Sequence, residues 1–201
     1  MSISKEGYPY IFPLAVLGVL GIVLHFWWIG GLLLALGAFV TLFFRDPERT
    51  FAGNSHQVAS PADGKVLSVR NENRNPALSI FLSVFNVHIN RAPIGGTITK
   101  IDYKKGKFLI AYDERASAEN EQNSITIEKD GNAVRFVQIA GFIARRISCW
   151  RREGEALAVG DRIGLIKFGS RVDVFFPPGS VIHVKVGDKV AGGKTIIGEL
   201  P

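Results

Sequence analysis

The chain has 201 residues, which is enough for one domain with a real core plus an appendage but a tight fit for two compact domains. Its formal net charge of +6 favours anionic partners, yet it has no ribonucleoprotein pattern, zinc-finger spacing or basic helix, so nucleic acid is not an expected partner. The single cysteine, Cys149, excludes an internal disulfide, and the four histidines are scattered without ligand spacing, so no metal site is expected.

The first predicted element is an apolar segment, because residues 11–44 contain no Asp, Glu, Lys or Arg. As one straight helix this segment would be about 50 Å long, against a hydrocarbon core of about 30 Å. Gly30 and Gly31 follow aromatic residues suited to the membrane interface and supply a break, so a hairpin of two short helices, spanning or re-entrant, is predicted. Basic residues flank both ends, as expected when both ends remain on the cytoplasmic side of the cell membrane. We therefore predict a membrane anchor over residues 1–44 and a separate domain over residues 45–201.

The second predicted part is a β-rich domain. From Val58 onward, short β-branched runs are separated by Gly, Pro, Asn and Asp, which is typical of a small barrel or sandwich. The clearest runs are residues 65–70, 77–84, 124–129, 133–139, 162–167, 172–176 and 181–186. The predicted fold class is therefore mostly β, preceded by an α-helical membrane hairpin.

One short pattern occurs twice in this domain. Val-Gly-Asp-Arg-Ile at 159–163 recurs as Val-Gly-Asp-Lys-Val at 186–190. Gly-Asp before a basic and a β-branched residue predicts a turn followed by a strand, and two copies indicate similar hairpins in a quasi-repeated sheet. Both copies resemble the turns of biotinyl and lipoyl carrier domains, which implies a barrel-sandwich hybrid fold. The resemblance concerns fold alone, because carriers need a modifiable lysine at a hairpin tip, typically beside a methionine, and the only methionine here is Met1.

The pair Gly169-Ser170 lies between two strand-like runs, and by itself such a pair usually forms a β-turn. It also permits a reaction, because glycine exposes its carbonyl and the next hydroxyl can attack that carbonyl, converting the amide to an ester. β-Elimination would then release the upstream chain and leave dehydroalanine, which hydrolyses to a pyruvoyl group. A serine hydroxyl is a weak nucleophile, so a base must lie within hydrogen-bond reach.

Two residues are candidates to activate Ser170. His88 lies at the polar end of an apolar run, where a lone histidine is more often structural. Asp63, in Ser-Pro-Ala-Asp-Gly at 60–64, would on its own be interpreted as a turn residue before a strand. As a carboxylate, Asp63 could orient His88 and hold its tautomer, which is the role of aspartate in hydrolase triads.

Five motifs in order along the chain carry a resemblance to a known family. They are Phe-Arg-Asp-Pro-Glu-Arg at 44–49, Ser-Pro-Ala-Asp-Gly at 60–64, Phe-Asn-Val-His at 85–88, Ala-Glu-Asn-Glu at 118–121 and Phe-Gly-Ser at 168–170. Together they resemble the short-chain phosphatidylserine decarboxylases across nearly the whole length. The resemblance implies a proenzyme that is cleaved between Gly169 and Ser170 into a β chain, 1–169, and an α chain, 170–201, by a set formed from Asp63, a histidine in the His88 segment and Ser170.

The sequence departs from the family pattern in two places. Longer bacterial members carry two histidines three residues apart, the first assigned to decarboxylation and the second to cleavage, whereas this chain has His88 at the first position and Arg91 at the second. Either His88 serves both steps or the cleavage base lies elsewhere. The family's Asn-Glu-Arg stretch is Asn-Glu-Gln at 120–122, which removes one guanidinium.

The resemblance implies decarboxylation of phosphatidylserine to phosphatidylethanolamine with release of CO2. The reaction would run through a Schiff base on the pyruvoyl group made from Ser170, with His88 returning the proton to carbon. Arg91, Arg145 and Arg146 are candidates to hold the substrate phosphate. The expected partners are the lipid membrane and the two cleavage chains as a heterodimer, with higher oligomers left open.

Three alternatives to this function remain at the level of sequence. Archaetidylserine, an ether lipid, shares the reacting headgroup, and no motif distinguishes the lipid tails. A membrane-anchored serine hydrolase would use Ser170 as an ordinary nucleophile, although the Gly-x-Ser-x-Gly elbow is absent from the sequence. A non-catalytic, carrier-like module would leave Asp63, His88 and Ser170 without a shared purpose.

Overall fold

The protein divides into an apolar N-terminal unit and a larger β-rich unit. The computed structural model describes residues 2–70, 75–106, 120–141, 146–167 and 170–201. The two compact units are Met1–Glu48 and Arg49–Pro201.

The N-terminal unit is a helical hairpin whose two ends are joined by a short antiparallel sheet. Its elements are strand β1 (Ser2–Ile3), a 3₁₀ turn (Lys5–Gly7), helix α1 (Tyr8–Val23), helix α2 (Trp27–Phe43) and strand β2 (Arg45–Asp46). Ser2 lies opposite Asp46, so the chain enters and leaves the hairpin side by side. Within the described residues, the stretch Lys5–Val23 is long and apolar enough to cross a membrane, whereas α2 is shorter. The predicted N-terminal helical hairpin is confirmed.

The turn of the hairpin lies at residues 24–26, so the break predicted at Gly30 and Gly31 is wrong. His25 makes the turn in the left-handed region, with φ of 64°. Gly30 instead lies inside α2, where an added Cβ would come within 2.7 Å of the carbonyl oxygen of Gly18 on α1. Because a larger residue would separate the helices there, Gly30 serves close helix packing and not chain reversal.

The second unit consists of short strands connected by turns. Its strands are β3 (Gln57–Ala59), β4 (Gly64–Arg70), β5 (Ala77–Leu82), β6 (Ile89–Arg91), β7 (Gly96–Lys104), β8 (Gln122–Lys129), β9 (Asn132–Ala140), β10 (Ile147–Cys149), β11 (Ala156–Leu157), β12 (Arg162–Ile166), β13 (Ser170–Phe175), β14 (Val181–Ile182), β15 (Lys189–Val190) and β16 (Ile196–Glu199). The mostly β prediction for this part of the chain is confirmed.

The main sheet is antiparallel and curls into a half-barrel. In the described parts of the chain it has eight strands in the order β11, β7, β8, β9, β13, β5, β4, β15. Two three-stranded sheets, β10-β12-β6 and β14-β16-β3, accompany it. Alternate side chains of the main strands fill the core, because successive residues of a strand point to opposite faces. Core members include Val66, Leu78, Ile80, Ile125, Ile127, Phe136, Val172 and Val174.

The repeated Val-Gly-Asp pattern forms two turns of the same design. Gly160 and Gly187 both adopt positive φ, at 83° and 96°. The side chains of Asp161 and Asp188 each accept a hydrogen bond of 2.9 Å from the main-chain N–H three residues earlier. A strand follows each turn, β12 after the first and β15 after the second, so the predicted turn and strand repeat is confirmed.

The predicted strand over residues 181–186 is mostly wrong. Only Val181–Ile182 forms a strand, because the second Val-Gly-Asp turn begins at Val186 and leaves little chain between. The long strand β7 was not among the clearest runs, since among its residues only Ile98 is buried and the pattern is largely polar. The extents of β14 and β7 therefore depend on tertiary contacts and not on the local sequence pattern.

Candidate active site

Ser170 is the first residue of β13, a central strand of the main sheet. It lies opposite Leu82 of β5 on one side and Ala140 of β9 on the other, and both neighbours belong to the apolar core. Directly opposed residues of an antiparallel pair share a face, so the Ser170 side chain points to the core. It is fully buried, and its Oγ has no hydrogen-bond partner among the described residues. A buried hydroxyl in this condition is uncommon in a purely structural position.

His88 lies just after a tight turn that follows β5, and its side chain is also fully buried. The turn forms because Asn86 Oδ1 accepts hydrogen bonds from the Ser83 main-chain N–H at 2.9 Å and from the Ser83 hydroxyl at 2.7 Å. The Asn86 carbonyl oxygen lies 3.0 Å from His88 Nδ1. Since a carbonyl oxygen only accepts hydrogen bonds, Nδ1 carries the proton in neutral His88 and Nε2 is the basic nitrogen.

The His88 segment is bonded through its main chain to β12, the strand that precedes Ser170 in sequence. The carbonyl oxygen of His88 accepts a hydrogen bond of 3.3 Å from the N–H of Ile166, at the end of β12. Ser170 is four positions after Ile166, so their Cα atoms lie within about 14 Å of each other. The predicted pairing of His88 and Ser170 in one site stays a prediction.

The described contacts of Asp63 are with Arg49 and Gly192, whereas the sequence predicted a contact with His88. Its carboxylate forms a two-point ion pair with the guanidinium of Arg49, and its Oδ1 also accepts a hydrogen bond of 2.8 Å from the Gly192 N–H. A contact between Asp63 and His88 is not among the contacts that the structure describes. The orienting role of Asp63 toward His88 therefore stays a prediction, and among the described contacts the one that defines the His88 tautomer is the Asn86 carbonyl.

The remaining predicted site residues differ in their surroundings. Arg91 is buried, and its Nη1 donates a hydrogen bond of 2.9 Å to the carbonyl oxygen of Gly160. Arg146 is exposed. Gly169 and Arg145 lie outside the described residues, so the structure places only one residue of the predicted cleavage pair.

A chain of buried amides adjoins the site and was not identified from sequence. Asn123 Nδ2 donates to Gln138 Oε1, and Gln138 Nε2 donates to Asn90 Oδ1, both at 2.8 Å. Gln138 belongs to β9 and lies opposite Val172 of β13, so the chain joins β8 and β9, the neighbour of the Ser170 strand, to β6, the strand that follows His88. The available signal was a polar residue in a strand with an apolar residue two positions later, as at Asn90, Asn123 and Gln138.

The opposite face of β13 carries a buried ion pair. Arg171 Nε donates to Asp173 Oδ1 at 2.6 Å, and Arg171 Nη2 donates to the Ser79 hydroxyl of β5 at 2.8 Å. Nearby, the Arg135 guanidinium carbon lies 3.9 Å from the centre of the Phe175 ring. Burial lowers the pKa of Arg135, and the Asp173 carboxylate offsets part of that effect. These contacts hold β13 to its neighbours on the side away from Ser170.

Fold and site together define a β-rich enzyme domain with a buried serine and a buried histidine, preceded in sequence by an apolar helical hairpin. The family profile described as phosphatidylserine decarboxylase matches residues 36–198. A phosphatidylserine decarboxylase proenzyme of Solibacter usitatus (strain Ellin6076) is 51% identical over 175 residues, which cover 85% of each chain. Proteins of the same name from Geobacter sulfurreducens (45% identical; 99% of this chain and 97% of its own) and Burkholderia pseudomallei (43%; 99% and 95%) also match.

This chain belongs to the phosphatidylserine decarboxylase family. The matches cover nearly the whole chain, including the segments that contain Asp63, His88 and Ser170. The family resemblance predicted from the five short motifs is confirmed.

Proposed function

We propose that this protein is a proenzyme that cuts itself between Gly169 and Ser170 and then decarboxylates phosphatidylserine to phosphatidylethanolamine. One observation carries the proposal: Ser170 Oγ is fully buried at the start of a central strand without a described hydrogen-bond partner. The names of the relatives describe this activity and a proenzyme, which supports the same conclusion.

Self-cleavage is a rearrangement followed by an elimination. Ser170 Oγ attacks the carbonyl carbon of Gly169, a C–O bond replaces the C–N bond, and the freed nitrogen of residue 170 takes up the proton. Loss of the Cα proton of residue 170 then breaks its Cβ–O bond and releases the Gly169 carboxylate. The dehydroalanine that remains takes up one water and loses ammonia, which leaves a pyruvoyl group at the start of the fragment 170–201.

His88 is the proposed base for this sequence. Its Nδ1 proton is engaged by the Asn86 carbonyl, so Nε2 has the lone pair that can accept the Ser170 hydroxyl proton. In turnover the same nitrogen, once protonated, returns a proton to the substrate carbon that has lost CO2. One residue can serve both steps because they occur in separate phases, maturation first and turnover later.

The surroundings of Ser170 fit a pyruvoyl group. The flanking Leu82 and Ala140 are apolar and fully buried, so a carbonyl at this position would be shielded from bulk water. The group supplies an electrophilic carbonyl that accepts the electron pair left behind when CO2 departs. A low-polarity surrounding also disfavours the charged substrate carboxylate relative to neutral CO2, which assists its loss.

Cationic side chains are proposed to hold the substrate phosphate by charge-assisted hydrogen bonds. Arg146 is exposed, whereas Arg91 is buried and already donates to the Gly160 carbonyl. Arg146 is therefore the better supported of these two, and Arg145 beside it in sequence remains a candidate. Diacyl and ether lipids with a serine headgroup present the same headgroup atoms to these residues.

The apolar hairpin is proposed to hold the protein at the cell membrane, with the β-rich unit on the cytoplasmic side. Lys5–Val23 is long and apolar enough to cross a bilayer. A catalytic unit tethered to the membrane meets its lipid substrate where the substrate resides, so the lipid tails need not enter water. The two products of cleavage are proposed to remain together as a heterodimer.

Mass analysis under denaturing conditions tests the proposal. The purified wild type is expected to yield the fragments 1–169 and 170–201 and to release CO2 from phosphatidylserine vesicles, whereas Ser170→Ala is expected to remain one inactive chain. Ser180→Ala is the matched control, because Ser180 Oγ is also buried without a described partner and lies in the same fragment. An active wild type that stays at full length would overturn the proposal.

A further inference from the structure

Arg49 lies at the first position of the β-rich unit, and its side chain is largely buried against Asp63, at 12% and 13% exposure respectively. Its Nη1 contacts Asp63 Oδ1, and its Nη2 donates to Asp63 Oδ2 at 2.8 Å. This is the two-point geometry in which a planar guanidinium fixes both oxygens of a carboxylate. A lysine in its place would present a point charge without the fork.

The pair also holds a main-chain segment near the end of the protein. Arg49 Nη1 donates to the Gly192 carbonyl oxygen at 2.6 Å, and the Gly192 N–H donates to Asp63 Oδ1 at 2.8 Å. Gly192 is thus bound through both its N–H and its carbonyl by one ion pair. An added Cβ on Gly192 would lie 3.2 Å from three backbone atoms of Ala62, so the segments pack closely.

The contacts of the Asp63 carboxylate leave it little freedom. Among the described residues, Oδ1 accepts two hydrogen bonds and Oδ2 accepts one, against a capacity of about four, so these contacts leave one direction at Oδ2 for a further donor. Without Arg49, the carboxylate would be a mostly buried charge with one main-chain donor. It would then lose its fixed orientation and turn toward solvent.

We infer that Arg49 is the positioning residue of Asp63, and that the clamp of Arg49, Asp63 and Gly192 sets the carboxylate for self-cleavage. The inference rests on the proposed function. It assigns a role to a residue that touches neither Ser170 nor His88 among its described contacts. It also links the fragment 1–169, which contains Arg49 and Asp63, to the fragment 170–201, which contains Gly192.

The test is a time course of self-cleavage by full-length precursor made in a cell-free system with membranes, with fragments separated on denaturing gels. Arg49→Ala is expected to slow cleavage by about tenfold to a hundredfold, the range for losing hydrogen bonds to a charged group. The cleavage rate of Arg49→Lys is expected to lie between those of the wild type and Arg49→Ala. If Arg49 acts through Asp63, the double variant Arg49→Ala/Asp63→Ala should cleave no more slowly than Asp63→Ala alone.

Arg151→Ala is the matched control. Arg151 also holds a carboxylate, that of Glu155, and a main-chain carbonyl, that of Arg162, so its removal costs similar contacts elsewhere in the fold. It is expected to change the melting temperature without changing the cleavage rate. Added guanidinium ion, at concentrations well below denaturing, should accelerate Arg49→Ala but not Asp63→Ala.

Two outcomes would overturn the inference. One is cleavage of folded Arg49→Ala or Arg49→Lys at the wild-type rate. The other is a cleavage rate of Arg49→Ala/Asp63→Ala that is reduced by the product of the two single-variant reductions. If Arg49→Ala does not fold, the Arg49→Lys comparison decides alone, because that variant keeps the charge. A wild type that never cleaves would instead refute the proposed function, so the two failures are distinguishable.

Discussion

Ser170, the first residue of β13, lies directly opposite Ala140, the last residue of β9. The residue proposed to change its chemical identity is therefore held by strand pairing on both sides, since Leu82 of β5 lies opposite it as well. Arg171, the next residue, adds side-chain bonds to Asp173 and Ser79 on the other face. A cut before Ser170 would leave the new chain end in place, because Ser170–Phe175 remain paired with β5 and β9.

Replacing His88 distinguishes between the two assignments of the cleavage base. Arg91, at the position of the family's second histidine, has a buried guanidinium that donates to a carbonyl and cannot accept a proton near neutral pH. We therefore expect His88→Ala to lower the rate of self-cleavage by about 10²- to 10⁴-fold, the range for loss of a general base. Precursor and fragments on a denaturing gel report this rate.

The control for His88→Ala is His183→Ala, since the His183 side chain is 40% exposed and its Nε2 lies 3.9 Å from Glu199 Oε2. This control should mature normally. Normal cleavage by His88→Ala combined with loss of CO2 release would contradict a dual role, and would show that another group removes the Ser170 proton.

The buried amides predict a stability effect at Gln138. Gln138→Leu removes the acceptor of Asn123 Nδ2 and the donor to Asn90 Oδ1, leaving two buried polar groups unpaired. We expect the free energy of unfolding to fall by about 2 kcal/mol or more. The measurement is best made in a Ser170→Ala background, so that the chain stays covalently whole in every sample.

Gln57→Leu provides the same substitution at a more exposed hydrogen bond, between Gln57 Oε1 and the Asn54 N–H. It should change the free energy of unfolding by no more than about 0.5 kcal/mol. Equal effects of the two substitutions would mean that the amide chain contributes nothing specific to the folded state.

The hairpin geometry predicts a disulfide between its helices. An added Cβ on Gly37 would lie 3.5 Å from the Cβ of Leu14, within the range of about 3.5–4.5 Å found in disulfides. With Cys149→Ser, the pair Leu14→Cys and Gly37→Cys should therefore form a bond on mild oxidation and lose its reactivity to alkylating reagents. The pair Leu14→Cys and Gly31→Cys should not, because nothing lies within 4 Å of a Cβ at Gly31. Equal reaction of both pairs would show a different helix pairing.

Local chemistry in the sequence was sufficient for the turns and for many strands. The Val-Gly-Asp turns could be predicted because their glycines need positive φ and their aspartates bond to their own main chain, both of which are local requirements. The hairpin turn was misplaced, because a glycine that permits close packing cannot be told from one that breaks a helix until the partner helix is known. Strand β7 was missed because its residues are mostly exposed.

The site was only partly predictable for a similar reason. Ser170, His88 and Asp63 could be named from residue type and motif, but the partners of these residues depend on which segments meet in the fold. The pairing of Arg49 with Asp63 and Gly192, and the facing of Gln138 toward Asn90, join positions far apart in sequence. No periodicity in the chain encodes such contacts, since they arise from strand register and from turns docking on one another.

The most direct measurement is the chemical state of residue 170 in an active preparation. The fragment 170–201 should lack a free amino terminus, should have the mass of a pyruvoyl-started chain, and should gain one equivalent of a carbonyl reagent such as O-benzylhydroxylamine, with loss of CO2 release. An active sample whose chain is uncut, or whose fragment begins with an ordinary serine amine and ignores the reagent, would contradict the proposed origin of the electrophile.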